Sequence, residues 1–160
     1  MQIYSSIWLK LAFLTASFGL ISAASGDQPM TPDIAAQLTA AMNKAVAIAH
    51  QPGQTKALAE SFYEDDLTIT GEGFDKFYPN LPSFMDTLAE VTKNPTCSLR
   101  LIGKPETSGR LAVSWFAEHC DTYKDMPAED YRILYVWRKG QKGWRVTMES
   151  FSRGKFELAP

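Results

Sequence analysis

Few side chains in this 160-residue sequence could do chemistry, and their types narrow what that chemistry is. Two histidines and two cysteines are too few ligands for a structural zinc site, so no metal is expected. There is no Gly-rich phosphate loop, no H-E-x-x-H and no G-x-S-x-G, and no cofactor is implied. The carboxylates carry more promise. Glu118 follows Phe116 at strand spacing, so both side chains fall on one face of an extended segment. A carboxyl placed among apolar neighbours is desolvated, its pKa rises, and it becomes a general acid or base near neutral pH. The alternative for Glu118 is a rim position with an ion-pair partner. Asp65-Asp66 is a second acid pair, but adjacent strand residues point apart and a structural cap explains them better. His119 has no partner fixed by sequence, and His50 suits the C-terminus of a helix, where a cation is favoured.

Composition sets the outer limits. The chain is 45% hydrophobic and 21% charged, with 4 Trp, 6 Tyr and 9 Phe, which excludes disorder and supplies one core. Sixteen basic residues against eighteen acidic ones provide no excess for phosphates, so nucleic acid is not an expected partner.

Residues 1–24 read as an address. Lys10 precedes an apolar run, Leu11 to Ile21, and then Ser22-Ala23-Ala24, the pattern of a secretory signal peptide cleaved after Ala24. An uncleaved anchor is the competing reading, since Ile7 to Ile21 is mostly apolar, but Lys10 interrupts that stretch and the run is shorter than the ~20 residues of a spanning helix. Residues 25–160 then form a single domain of 136 residues at net charge −3, secreted or periplasmic, with no membrane contact after cleavage. In an oxidising compartment Cys97 and Cys120 are either a disulfide, contributing about 3 kcal/mol, or two buried thiols on neighbouring strands.

Several elements must position these groups. Thr31-Pro32-Asp33 starts a helix whose stripe is Ile34, Leu38, Met42, Ala45 and Ala49, and Pro52-Gly53 ends it. A second helix covers about Thr55 to Tyr63, followed by a strand at Leu67–Thr70. Phe74 to Pro79 is an aromatic loop, and Asn80 caps a third helix bearing Phe84, Leu88 and Val91. Strands follow at about Thr96–Gly103, Arg110–Cys120, Tyr131–Lys139 and Gly143–Phe151, with a tail strand near Lys155–Leu158. Helices first and antiparallel strands after them predict an α+β domain, with helices on one face of a curved sheet.

This order and several phrases resemble the nuclear-transport-factor-2-like superfamily, whose cone fold is shared with polyketide-cyclase-like proteins. Phe62-Tyr63-Glu64-Asp65-Asp66-Leu67-Thr68-Ile69 is similar to the family's "FYADDAxV". Tyr135-Val136-Trp137-Arg138-Lys139 and Gly143-Trp144-Arg145-Val146 are similar to its "xVWRK…GWRV", with Ser152 closing the last strand. The resemblance spans about residues 33–152. It implies a cone-shaped, curved antiparallel or mixed sheet with three helices from the N-terminal half on its concave face. It implies no single function, because members include isomerases, dehydratases, cyclases, hydrolases, transport factors and oligomerisation modules. The base of ketosteroid-isomerase-like members corresponds here to Gly71, with Glu72 one residue out of register. Their first-helix tyrosine corresponds to Ala45 or a similar small residue. The two histidines of kinase-association-type members correspond to Met148 and Ser150.

Strand alternation predicts which side chains line the cone. A Ser108-Gly109 turn pairs Thr107 with Arg110, Leu101 with Phe116, Leu99 with Glu118 and Cys97 with Cys120. That puts the cysteines at a hydrogen-bonded site, which needs a bulge or strong twist to close. A turn at Gln141-Lys142 pairs Trp137 with Val146 and Tyr135 with Met148. Ile133, Tyr135, Trp137, Val146, Met148 and Ser150 then share the apolar face with Phe116 and Glu118, while Arg145, Thr147 and Glu149 take the other. A one-residue slip reverses the assignment. The expected ligand-binding set is Tyr63, Phe116, Ile133, Tyr135, Trp137 and Met148, and Glu118 is the catalytic candidate. Three functions fit: binding of a small apolar or aromatic molecule, a cofactor-independent lyase or isomerase using Glu118, and a homodimeric interaction module using the Arg-rich face. Of these, binding fits best.

Overall fold

The computed structural model describes residues 33–73 and 76–157. The expected leader, the Thr31-Pro32 helix start and Phe74 lie outside them. Three helices, α1 (Ile34–Ala49), α2 (Thr55–Phe62) and α3 (Leu81–Val91), accompany five strands. These are β1 (Tyr63–Gly71), β2 (Ser98–Ser108), β3 (Leu111–Cys120), β4 (Glu129–Gly140) and β5 (Gly143–Arg153). They form one mixed sheet in the order β1-β5-β4-β3-β2, parallel between β1 and β5 and antiparallel elsewhere. This is the α+β arrangement that the element order predicts.

Local chemistry accounts for the helices. Leu38, Met42 and Ala45 are the buried stripe of α1, and Leu58 and Phe62 that of α2. Asn80 caps α3 by accepting the backbone N–H of Ser83 at 3.0 Å, with Pro82 in the first turn. α1 packs on α2 and β2, and α3 packs on β1. The centre is aromatic: Trp137 is fully buried against Phe62, Phe116 and Tyr135, and its indole N–H donates to Ser114 Oγ at 2.8 Å.

Several boundaries differ from expectation. β1 begins at Tyr63 directly after α2, so Asp66 is a strand residue and not a helix cap. It accepts two hydrogen bonds from Arg138 at 3.0 and 2.9 Å. That guanidinium, through hydrogen bonding above all, holds the Asp66 carboxyl below its ordinary range. Residues 155–157 form no strand.

Two irregularities set the registers. At the β2–β3 turn the pair nearest the loop is Ser108↔Leu111, two residues out of step with the expected Thr107–Arg110 pairing. A bulge between Ile102 and Glu106, where Gly103 has φ 67°, restores Leu101↔Phe116 and Leu99↔Glu118 as expected. The β4–β5 hairpin begins as expected at Gly140↔Gly143 and keeps Trp137↔Val146, but a bulge follows, and Val136 now faces Met148 while Tyr135 faces Glu149. Beyond that bulge every β5 side chain is on the opposite face from the one that plain alternation assigns.

Candidate functional site

A cavity of about 470 Å³ opens between the helices and the sheet. Its walls are largely apolar, including Met42, Leu58, Phe62, Phe84, Leu88 and Ile133. Polar groups come from Tyr63 on β1, Glu118 on β3, Tyr131 and Tyr135 on β4 and Glu149 on β5. Of the expected binding residues, Tyr63, Ile133 and Tyr135 line this space. Phe116 and Trp137 do not; at 1% and 0% exposure they are core beneath it. Met148 is corrected outright, since the β5 bulge turns it to the outer face, 46% exposed.

The same bulge brings Glu149 inward, where alternation placed it outside. Glu149 is buried, and its Oε2 accepts a hydrogen bond from Tyr63 Oη at 2.9 Å. Burial chiefly pushes its pKa up to about 8; the Tyr63 hydrogen bond opposes this, and the nearby Glu118 charge adds to it. Burial pushes Glu118 up to about 7. It also raises the phenols of Tyr63 and Tyr135, with the Glu149 charge as a further cause. Two carboxyls that sense each other in one cavity titrate as a pair spanning neutral pH. A sequence signal for Glu149 existed. Trp144 and Val146 face inward at even spacing, whereas Phe151 is five residues beyond Val146, and odd spacing between inward apolar residues requires a bulge.

Cys97 and Cys120 are bonded, with Cα atoms 4.0 Å apart. Cys97 precedes the first residue of β2, so the pair sits off the end of the ladder and avoids the wider spacing of a hydrogen-bonded site, about 5.5 Å. A Glu118 carboxylate oxygen lies within 4.8 Å of both sulfurs. This is the one cluster of three metal-ligand types among the described residues, and the disulfide consumes the thiolates that a metal would need. His50 caps α1, and its Nε2 is 3.0 Å from the Cys97 carbonyl. His119 lies on the outer face, held by Asp130 at 2.9 Å and Asp121 at 3.2 Å; those hydrogen bonds raise its pKa. Phe77 is exposed, and Tyr78 bridges to Ile69 and pairs its hydroxyl with Thr87.

Comparison with solved structures follows this geometry. A ketosteroid isomerase-like protein from Erwinia carotovora atroseptica superposes with a TM-score of 0.62 at 16% identity, covering 78% of this chain and 99% of that one. A nuclear-transport-factor-2-like protein of unknown function from Methylobacillus flagellatus reaches 0.58 at 16% identity, with coverage of 79% and 97%. One with a cystatin-like fold from Novosphingobium aromaticivorans reaches 0.54 at 14%, with coverage of 74% and 80%. This chain has the nuclear-transport-factor-2-like fold. No family model and no curated protein matches the sequence.

Gly71, which the sequence resemblance aligns with the base of ketosteroid-isomerase-like members, is paired with Phe151 on the parallel neighbour β5. A Cβ at Gly71 would lie 2.4 Å from the Phe151 ring, so no carboxylate side chain fits there without displacing that ring. Glu72 next to it is tied up at the rim, its Oε2 accepting the Arg153 N–H at 2.8 Å. Ala45 on α1 offers no hydroxyl. The two acids of the inner wall with raised pKa values, Glu118 and Glu149, come instead from β3 and β5.

Proposed function

We propose that this protein is an exported small-molecule-binding domain whose cone holds a mainly apolar ligand by a polar end. The observation that supports it best is the cavity itself: about 470 Å³, walled by apolar and aromatic side chains, with a few polar groups from four strands. Glu118 and the Tyr63–Glu149 pair would fix the orientation of the ligand. Export rests on the leader-like residues 1–24 and fits the disulfide and the lack of any membrane-crossing helix among the described residues. Native mass spectrometry of the protein recovered from its own exported fraction tests both parts. The expected species lacks residues 1–24, keeps the disulfide and carries a retained small molecule. An intact leader would overturn export, and an apo species that takes up no hydrophobic probe would overturn binding.

A cofactor-independent lyase or isomerase is the second reading, favoured by two cavity carboxyls poised near neutrality, one of them bonded to a tyrosine hydroxyl. Chemical conversion of the retained molecule, abolished in Glu118→Gln, would favour it over binding alone.

We also propose that the outer sheet face joins two copies of the chain. Val113, Val136 and Met148 form one apolar row across β3, β4 and β5, and Trp115 and Leu134 form the next. Trp115 is 44% exposed. Such a row is self-complementary about a two-fold axis. In sedimentation velocity the protein should run as a dimer, and Trp115→Glu with Met148→Glu as a folded monomer. A monomeric parent protein would remove this interface.

A further inference from the structure

The inner carboxyls have no counter-charge, and that constrains what can occupy the cone. Five carboxyls line the cavity: Glu72, Glu90, Glu118, Glu129 and Glu149. Against them stand Arg153 and His50. Arg153 is committed to Glu129, at 3.6 Å, and Glu90 is paired with Lys93. His50 is turned to the Cys97 carbonyl at 3.0 Å. Glu118 has neither a hydrogen bond nor an ion pair among the described residues, although it is partly buried where it lines the cavity. Glu149 has one hydrogen bond, from Tyr63, and among the described residues no cation within ion-pair reach.

We propose that the natural occupant is an organic cation, a primary or secondary amine on an apolar body, with its ammonium group facing Glu118 and Glu149. The proposal rests on the binding function above and adds the ligand class. An ammonium carries two or three N–H donors, enough to serve both carboxyls at once. It is also attracted to the faces of aromatic rings, and Phe62, Tyr63, Phe84 and Tyr135 supply the walls. The apolar remainder takes the space lined by Met42, Leu58 and Leu88. A carboxylate ligand meets two acids and no free cation, so it is excluded. A neutral alcohol or ketone can use one carboxyl proton, but gains nothing from the acidic surroundings.

The carboxyl pair imposes a proton signature. Without ligand, burial keeps Glu118 near 7 and Glu149 near 8, so both hold protons for part of the time at neutral pH. An ammonium stabilises both ionised forms, so binding expels protons and affinity rises with pH until the amine itself deprotonates. The other titratable groups around the pair do not reverse this sign. Tyr63, Tyr131 and Tyr135 are raised above their ordinary values and stay neutral, and Glu129 and Arg153 are paired with each other. His50, the C-cap of α1, is turned to the Cys97 carbonyl.

Three probes of one shape decide the matter: 2-(1-naphthyl)ethylamine, 2-(1-naphthyl)ethanol and 1-naphthylacetate. Titration calorimetry of the oxidised protein at about pH 8 and about pH 6, in buffers of different ionisation enthalpy, reads affinity and proton release. At the higher pH the amine should bind at least about ten-fold tighter than the alcohol, and the acetate weakest. Its affinity should fall about ten-fold at the lower pH, with protons released on binding. Glu118→Gln and Glu149→Gln should each cut the amine-to-alcohol ratio about ten-fold, with circular dichroism reporting the fold. Equal or tighter binding of the alcohol or acetate overturns the cation and leaves the pocket reading standing. Failure of all three to bind overturns the pocket reading, and the cation with it.

Discussion

Acidification from about pH 8 to about pH 5 should raise the melting temperature by at least about 10 °C, the reverse of ordinary acid destabilisation. Glu118 and Glu149 have folded pKa values of about 7 and about 8, against 4.5 for a free glutamate. Their folded values are raised, so the folded state binds more protons than the unfolded chain throughout that interval. Stability is therefore greatest near and below 4.5 and declines as pH climbs through the folded values. At ~1.4 kcal/mol per pH unit of difference, the pair together costs on the order of 8 kcal/mol at pH 8. The raised His119 adds in the same direction, its stabilisation lost as pH rises, while the lowered Asp66 loses its stabilisation only below this interval, as pH falls through its ordinary value of 3.8 to the lowered folded one. Glu149→Gln keeps an acceptor for the Tyr63 hydroxyl and removes one titration. It should melt higher than the parent at pH 8 and flatten the slope. A melting temperature that is level or climbs from pH 5 to pH 8 would show that the two carboxyls are not desolvated.

The second large effect separates two residues that alternation places side by side. Trp137→Ala should lose about 3–5 kcal/mol in urea denaturation, and Met148→Ala less than about 1 kcal/mol. Trp137 is fully buried among Phe62, Phe116 and Tyr135, and its removal also strands the buried Ser114 hydroxyl, a further ~1 kcal/mol. Met148 stands outside the bulge with nearly half its surface exposed. Comparable losses in both variants would mean that β5 runs without the bulge and that Glu149 is not in the cavity.

The contrast shows how far strand patterns carry. The Gln141-Lys142 turn and the Trp137–Val146 pair could be read because turn chemistry and a period of two are local properties. The β3 register could be read too, but for a reason that alternation does not contain. The turn lies one residue later than expected, which shifts the register by two, and the bulge at Gly103 cancels the error before Phe116 and Glu118. No compensation occurs on β5, so Met148 and Glu149 exchange faces there.

By itself the sequence determined the order of helices and strands, the aromatic face around Tyr135 and Trp137, the inward side of Glu118 and the closeness of Cys97 to Cys120. Those features follow from side-chain periodicity, caps and turns, which depend on neighbours within a few residues. Only the tertiary structure decided that Glu149 joins Tyr63, that Phe116 and Trp137 are core and not lining, and that Phe151 fills the space beside Gly71. The first and last of these depend on where β5 slips by one residue against β4 while pairing in parallel with β1. A bulge is set by how both neighbouring strands and the helices above pack, and that balance is not written in any short stretch of the chain.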